Sequence, residues 1–358
     1  MAVLNPAFSL RKSADAGLWP GLIGRLPKPL LVAPMIVQWL WLALRYRSLT
    51  LPSAANPWLF TGGLVGESKI DYFDQVGVEH RSWLAPTTSF LADPDGLAAA
   101  RRALVEAGLG YPLIAKPDIG WCGFGVRRLD DPAALAAYVE AYPTGERILL
   151  QEYLDRPGEA GLFYVRWPGQ THGRLLSLTV RKPARVTGDG RSTLGELVAR
   201  DDRLRGRAAL FADLGRVPRP GESVALSSVW SHRMGGVYRD ESVAITPALE
   251  RRIDAIARSM PGLHVARFDV RFSDLATLGA GEGFKIIEIN GVGSEAIQFF
   301  DPDVPFFTAY RGVFDKQAMI FAIGAANRAR GYHPCSSPTL WKAHVHQQRL
   351  VTRYPASN

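Results

Sequence analysis

Short β-rich apolar runs recur from residue 111 onward: YPLIAK (111–116), RILLQ (147–151), GLFYVR (161–166), LLSLTV (175–180), HVARFDVRF (264–272) and FKIIEI (284–289). They are rich in β-branched and aromatic residues, which predicts strands. Helical patterns lie between them, each opened by a capping residue. Asp131 before Pro132 opens DPAALAAYVEAY, Thr193-x-x-Glu196 is a capping box, and Thr246-Pro247 opens the amphipathic ERRIDAIARSM. Strands and helices mix without the strict rhythm of a doubly wound sheet, so the expected class is α+β.

The most apolar stretch is LLVAPMIVQWLWLAL (Leu30–Leu44). A bilayer span needs about 20 such residues, and this one is shorter, carries Pro34 and Gln38, and runs into Arg45 and Arg47. It reads as a buried or interdomain helix. A helix lying on a membrane surface, contacting it through residues 30–47, is the alternative kept open by Trp39 and Trp41. Met1 to Gly24 shows no signal-peptide pattern. Pro52 to Gly66 is punctuated by Pro, Asn and Gly and reads as a boundary loop, while residues 331–358, with His333, His344, His346 and Arg349, read as a polar tail.

Composition narrows the classes. The chain has 358 residues, 47% apolar and 21% charged, the mixture of a globular protein. Its two cysteines, Cys122 and Cys335, exclude a disulfide framework or a four-cysteine zinc site and point to a reducing, cytoplasmic setting. Lys plus Arg exceed Asp plus Glu by 42 to 34, a formal charge of +8, which suggests an anionic partner. No interleaved basic–aromatic motif is present, so nucleic acid is not the expected one.

Three constellations carry candidate chemistry. Lys116 ends a strand and leads into Pro117–Gly125, where Gly120, Gly123 and Gly125 let backbone N–H groups approach phosphate oxygens while the ammonium neutralises them. Gln151-Glu152-Tyr153-Leu154 stops a β-run and offers backbone groups and apolar side chains to a purine, with Glu159 placed for ribose hydroxyls. In HVARFDVRF, alternation puts Arg267, Asp269 and Arg271 on one face. In FKIIEIN it puts Phe284, Ile286, Glu288 and Asn290 together. If these strands pair, Asp269, Glu288 and Asn290 converge as hard oxygen donors suited to Mg²⁺ beside Arg267. A surface salt-bridge pair is the plain alternative.

In this order, Lys116 with its glycine loop, Gln151 to Leu154, Arg267-Phe-Asp269 and Glu288-Ile-Asn290 resemble the ATP-grasp superfamily, in particular D-alanine–D-alanine ligase and its relatives. The stretch Arg181–Leu197 (RKPARVTGDGRSTLGEL) is similar to the cyanophycin synthetase and glutamate–cysteine ligase branch. The resemblance covers about residues 67–325. It implies an ATP-grasp fold of two α+β subdomains enclosing ATP. Residues 67–155 would carry the glycine-rich lid and 156–330 the Mg²⁺ and phosphate site, after an N-terminal region of 1–66. Lys69 and Lys116 would contact phosphates, Gln151 to Leu154 adenine and Glu159 ribose. Asp269, Glu288 and Asn290 would hold two Mg²⁺ ions. Arg267 would stabilise acyl-phosphate chemistry, with Lys182, or Arg181 beside it, on the γ-phosphate.

The acceptor side departs from the family. Gly291-Val-Gly-Ser-Glu-Ala296 replaces the usual Pro-Gly segment, and SSVWSHRMGG (227–236) carries His232 and Arg233. His232, Arg233 and Ser294 are therefore candidate substrate contacts, with solvated loop residues as the even alternative for the first two. Cys122 reads as a passenger thiol and His264 as a packing residue. The implied activity is an ATP- and Mg²⁺-dependent ligase joining a small-molecule or amino-acid carboxylate to an amine. The alternatives are a kinase of the same fold or a membrane-surface ATP-binding protein without ligase activity.

Overall fold

The computed structural model describes residues 28–294, 301 and 303–358. The readings of Met1–Gly24, Glu295 and Ala296 lie outside the described residues. Helix α1 (Lys28–Tyr46) is followed by short 3-10 turns, then α2 (Lys69–Gln75). Next come β1 (Thr87–Leu91), α3 (Gly96–Ala107), β2 (Leu113–Pro117), β3 (Arg127–Leu129), α4 (Pro132–Glu140) and β4 (Arg147–Glu152). Beyond them lie β5 (Gly158–Val165), β6 (Arg174–Lys182), β7 (Arg185–Thr187), α5 (Leu194–Arg200), β8 (Ser223–Ala225) and β9 (Val237–Asp240). The chain continues with α6 (Pro247–Ser259), β10 (Val265–Phe272), α7 (Leu275–Gly279), β11 (Phe284–Asn290), α8 (Phe306–Arg328) and α9 (Ser337–Val351).

The expected strands all form, and the caps work as their chemistry requires. Asp131 accepts from the Ala134 N–H, Thr193 and Glu196 make a reciprocal box, and Thr246 accepts from the Ala248 and Leu249 N–H groups.

Two antiparallel sheets organise these elements: β1-β4-β2-β3, and β11-β10-β5-β6-β9. The first is backed by α3 and α4 through Leu104, Leu113, Leu129, Leu135 and Tyr138. The second buries Leu162, Phe268, Val270 and Ile286 against Leu249, Ile253 and Ile256 of α6. The chain passes directly from β4 in one sheet to β5 in the other through residues 153–157. The architecture is thus mixed α and β in two sheet-centred parts, as the motif order implies.

Three expectations change. Residues 52–66 are irregular but not a loose boundary: Leu51, Ala54, Ala55 and Asn56 are fully buried. Asn56 donates to Gly62 O and Val265 O and accepts from the His264 and Val265 N–H groups. Within residues 331–358, Ser337–Val351 form α9 rather than a polar tail, because Ala343, Leu350 and Val351 supply a buried stripe. Helix α1 is neither wholly buried nor wholly exposed. Leu42 is buried and Trp39 meets Phe321 of α8 edge-on at 5.0 Å, while Val37, Leu40 and Leu44 face outward.

Candidate functional site

The site begins with an irregularity in pairing. β10 and β11 run antiparallel with Arg267 opposite Asn290 and Asp269 opposite Glu288, and then the register shifts so that Val270 faces Ile286. Ile287 is the extra residue of a β-bulge. Simple alternation put Phe284 and Ile286 on the face of Glu288 and Asn290; the bulge separates them. Phe284 and Ile286 enter the core, and Ile289 enters it beyond the bulge. Glu288 and Asn290 are thereby turned to the face of Asp269, where Asn290 Nδ2 donates to Asp269 Oδ2 at 3.3 Å. The carbonyl of Ile287 accepts from Lys116 Nζ at 2.7 Å and Gln151 Nε2 at 3.3 Å. Thus the first sheet is tied to the edge of the second at the bulge.

Asp269 is fully buried and is gripped by two arginines. Arg267 binds it through Nε at 2.8 Å and Nη2 at 3.0 Å, and Arg181 Nη2 donates at 2.9 Å. Burial alone would raise this carboxyl, but the adjacent Arg181 and Arg267 hold it below the usual carboxylate range. Arg181 also donates to Glu159 at 3.0 Å, and Arg271 Nε meets the other Glu159 oxygen at 3.0 Å. Burial disfavours the Arg181 charge, yet the carboxylates of Asp269 and Glu159 more than restore it. Lys182, the neighbouring residue, is exposed in the β6–β9 ladder opposite Val237. Strand alternation therefore puts Arg181 in the cluster and Lys182 outside it, a correction of the sequence expectation.

Both lysines expected at phosphates join this network. Lys69 Nζ lies 3.5 Å from Glu288 Oε1 and donates to Asp118 O at 3.2 Å. Lys116 donates to Gln151 Oε1 at 3.1 Å as well as to Ile287 O. Its burial pushes the ammonium down to about 8. Gly120 makes room for Lys69: a Cβ there would stand 2.5 Å from Lys69 Nζ. Gln151 spends its side chain on Lys116 and Thr87. Glu152 is exposed, and Tyr153 packs under the Arg128 guanidinium at 4.3 Å; with Leu154 they form the passage between sheets.

The glycine loop is strapped from outside. Gln347 Nε2 donates to Gly120 O (2.9 Å), Tyr354 OH to Ile119 O (2.6 Å) and Ser357 Oγ to Gly123 O (2.7 Å). Arg233 belongs to the same strap: Nη2 donates to Gly123 O at 3.2 Å and Ser357 Oγ at 2.8 Å, and its guanidinium lies 4.2 Å from the Phe124 ring. Its described partners are loop groups. His232 packs beside Tyr238, whose hydroxyl accepts from the His232 N–H, and burial lowers the imidazole. Ser294 Oγ closes the turn after Asn290 by donating to Gly291 O at 2.6 Å. His264 donates through Nδ1 to Arg166 O and is held neutral, down to about 4, chiefly by burial.

The residues missed by sequence reasoning are Asp118, Glu67, Tyr72 and the strap residues Gln347, Tyr354 and Ser357, while Arg271 was placed on the right face without a role. Asp118 accepts from Ser68 Oγ and the Ile70 N–H, anchoring α2 and hence Lys69. Glu67 accepts from Tyr72 OH and the Gly291 N–H, and burial pushes its carboxyl up to about 7. Asp118 lies two residues beyond Lys116 and Tyr72 five beyond Glu67, whereas the Glu67–Gly291 bond and the strap bonds are long-range contacts.

Among the described residues no three His, Cys, Asp or Glu side chains form a metal cage. Glu288 and Asn290 supply hard oxygens on the face of Asp269, and Asp269 already accepts from two guanidiniums. Such a set fits Mg²⁺ shared with phosphate oxygens better than an all-protein cage. The surrounding Lys69, Lys116, Arg181 and Arg267 suit a polyphosphate.

No protein family and no curated protein sequence matches the chain. Solved structures to which the chain is similar include ligases and a synthetase. They include the D-alanine–D-alanine ligase from Bacillus anthracis (14% identity, 74% of this chain and 68% of that one, TM-score 0.42). The VanG D-Ala:D-Ser ligase from Enterococcus faecalis is similar at 14% identity over 72% of this chain, with TM-score 0.41. The bifunctional glutathione synthetase from Pasteurella multocida is similar at 16% identity over 71% of this chain, with TM-score 0.35. The chain spans 36% of the synthetase and 62% of VanG. At this similarity the chemistry rests on the geometry described above.

Proposed function

We propose that this protein is an ATP- and Mg²⁺-dependent carboxylate–amine ligase working through an acyl-phosphate. The observation that carries the reading is the bulge-directed convergence of Asp269, Glu288 and Asn290 with Arg267, Arg181, Lys69 and Lys116. The cations bind and orient the triphosphate: each lysine has an N–H left beyond the contacts above. Glu288 and Asn290, with Asp269, would hold Mg²⁺, which when bound neutralises charge on the transferring phosphoryl group. Glu159 retains lone pairs for a ribose hydroxyl beside its two arginines. A substrate carboxylate oxygen attacks the γ-phosphorus, its bond to the β–γ bridging oxygen breaks, and ADP leaves. An amine then attacks the acyl carbon and expels inorganic phosphate. Arg267 stabilises the charge that develops on the transferred group and on the tetrahedral oxygen. The glycine loop screens the acyl-phosphate from water.

The test is ADP release with small carboxylates and amino acids, using hydroxylamine as a general acceptor so that an acyl-phosphate is trapped as a hydroxamate. Arg267→Ala and Glu288→Ala are each expected to lower turnover about 100-fold or more, with folding verified by circular dichroism. Hydroxamate formation surviving either change overturns the assignment. ADP accompanied by a stable phosphoester identifies a kinase instead.

A further inference from the structure

Helix α1 presents two apolar faces, and among the described residues only one of them is packed. Gln38 Nε2 donates to Phe314 O at 3.0 Å, Trp39 and Tyr46 pack on Phe321, and Leu42 is buried; these fix the helix along α8. The opposite face carries Val32, Ile36, Val37, Leu40, Trp41 and Leu44, with 44–80% of each residue exposed. Their spacing follows the three- and four-residue repeat of one helical stripe. Scattered exposed apolar residues are ordinary, but a continuous stripe marks an interaction surface.

Charge selects the occupant. From Ala16 to Gly66 the chain contains no Asp or Glu, while Arg25, Lys28, Arg45 and Arg47 are basic. Arg45 and Arg47 are exposed at the end of the stripe, and the Arg45 guanidinium lies 5.4 Å from the Trp41 ring. The packed helix α8 adds Arg311 and Asp315, which pair with each other at 3.8 Å and cancel. A second copy docking through the same stripe brings basic helix ends together with no acidic residue to answer them. An anionic lipid surface answers them directly, and a tryptophan beside an arginine is suited to the boundary between headgroups and chains. No described helix is long and apolar enough to cross a membrane, and α1 is held against α8 from Gln38 to Tyr46. Its geometry is that of a helix lying in the interface.

We infer that the outer face of α1 docks this protein on an anionic lipid bilayer. The surface is separate from the Asp269–Glu288 cluster and does not depend on the ligase reading. The experiment is flotation of the full chain with phosphatidylcholine vesicles, with and without phosphatidylglycerol, at low and high salt. Binding is expected only to the anionic vesicles and weakens with salt. Val37→Asp with Leu44→Asp is expected to abolish it while the thermal midpoint and nucleotide binding stay unchanged. Arg45→Gln with Arg47→Gln is expected to weaken it about 25-fold, from about fivefold per basic residue. The inference is overturned if the protein does not float, if the aspartate variant floats as well as the parent, or if the parent is a non-floating dimer that the aspartate variant splits. Removing residues 1–27 provides a control: if only the shortened chain floats, those residues cover the stripe and the docking is overturned for the full chain.

Discussion

At the residue scale, the site is built from charges that cannot be understood singly. Asp269 in isolation is a buried carboxylate and would be neutral; with Arg267 and Arg181 within 3.0 Å it is an anion that fixes both guanidiniums in place. Lys116 is the opposite case, because burial outweighs its carboxylate neighbours and brings its ammonium down to about 8. The sign for ligand binding follows. The ammonium is present below that value and lost above it, so nucleotide affinity should fall as pH rises through about 8, approaching tenfold per pH unit. Lys116→Gln should bind ATP more weakly and with a flat profile over the same range. Titration calorimetry with a non-hydrolysable ATP analogue checks both, and an unchanged slope in the variant assigns the pH effect elsewhere. The carbonyl and side chain that hold Lys116, from Ile287 and Gln151, lie on different sheets.

At the element scale, the β-bulge and the strap do the positioning. Hydrophobic periodicity located β10 and β11, and their pairing was the correct conditional. The face assignment failed at Ile287 because a bulge leaves no mark in a single strand's alternation; it becomes visible only against a partner. The same limit applies to the strap. Nothing local in Gln347, Tyr354 or Ser357 announces that they bind carbonyls of residues 119–123, more than 200 positions earlier in the chain. Tyr354→Phe removes one such bond, about 1 kcal/mol, and should loosen the glycine loop. Tryptic cleavage after Arg127 or Arg128 should accelerate about fivefold under native conditions, with little change in overall stability. Unaltered cleavage would show that Tyr354 does not restrain the loop.

At the scale of the whole molecule, residues 50–66 brace the turn that follows Asn290. Gly63 lies against Gly291, where a Cβ on Gly63 would come within 2.7 Å of the Gly291 Cα, and Gly293 N–H donates to Gly63 O at 2.7 Å. Asn56 and Asn327, both fully buried, pin this segment to β10 and to α8. Asn56→Ala would leave two N–H groups and a carbonyl of residues 264 and 265 without their partner. We expect a loss of about 3 kcal/mol or more, read as a lower urea midpoint with an unchanged slope; a midpoint within error of the parent would remove Asn56 from this role. The sequence by itself determined the elements and their caps, because periodicity and capping are local; residue chemistry named Lys116, Arg267, Asp269, Glu288 and Asn290 as candidates, and the family resemblance added Lys69. Only the tertiary structure decided that Arg181 rather than Lys182 faces Asp269, that Arg233 holds the glycine loop, that Ser337–Val351 pack as α9, and that one face of α1 is exposed among the described residues. Each of these depends on strand register or on contacts across hundreds of residues, which a one-dimensional pattern does not encode.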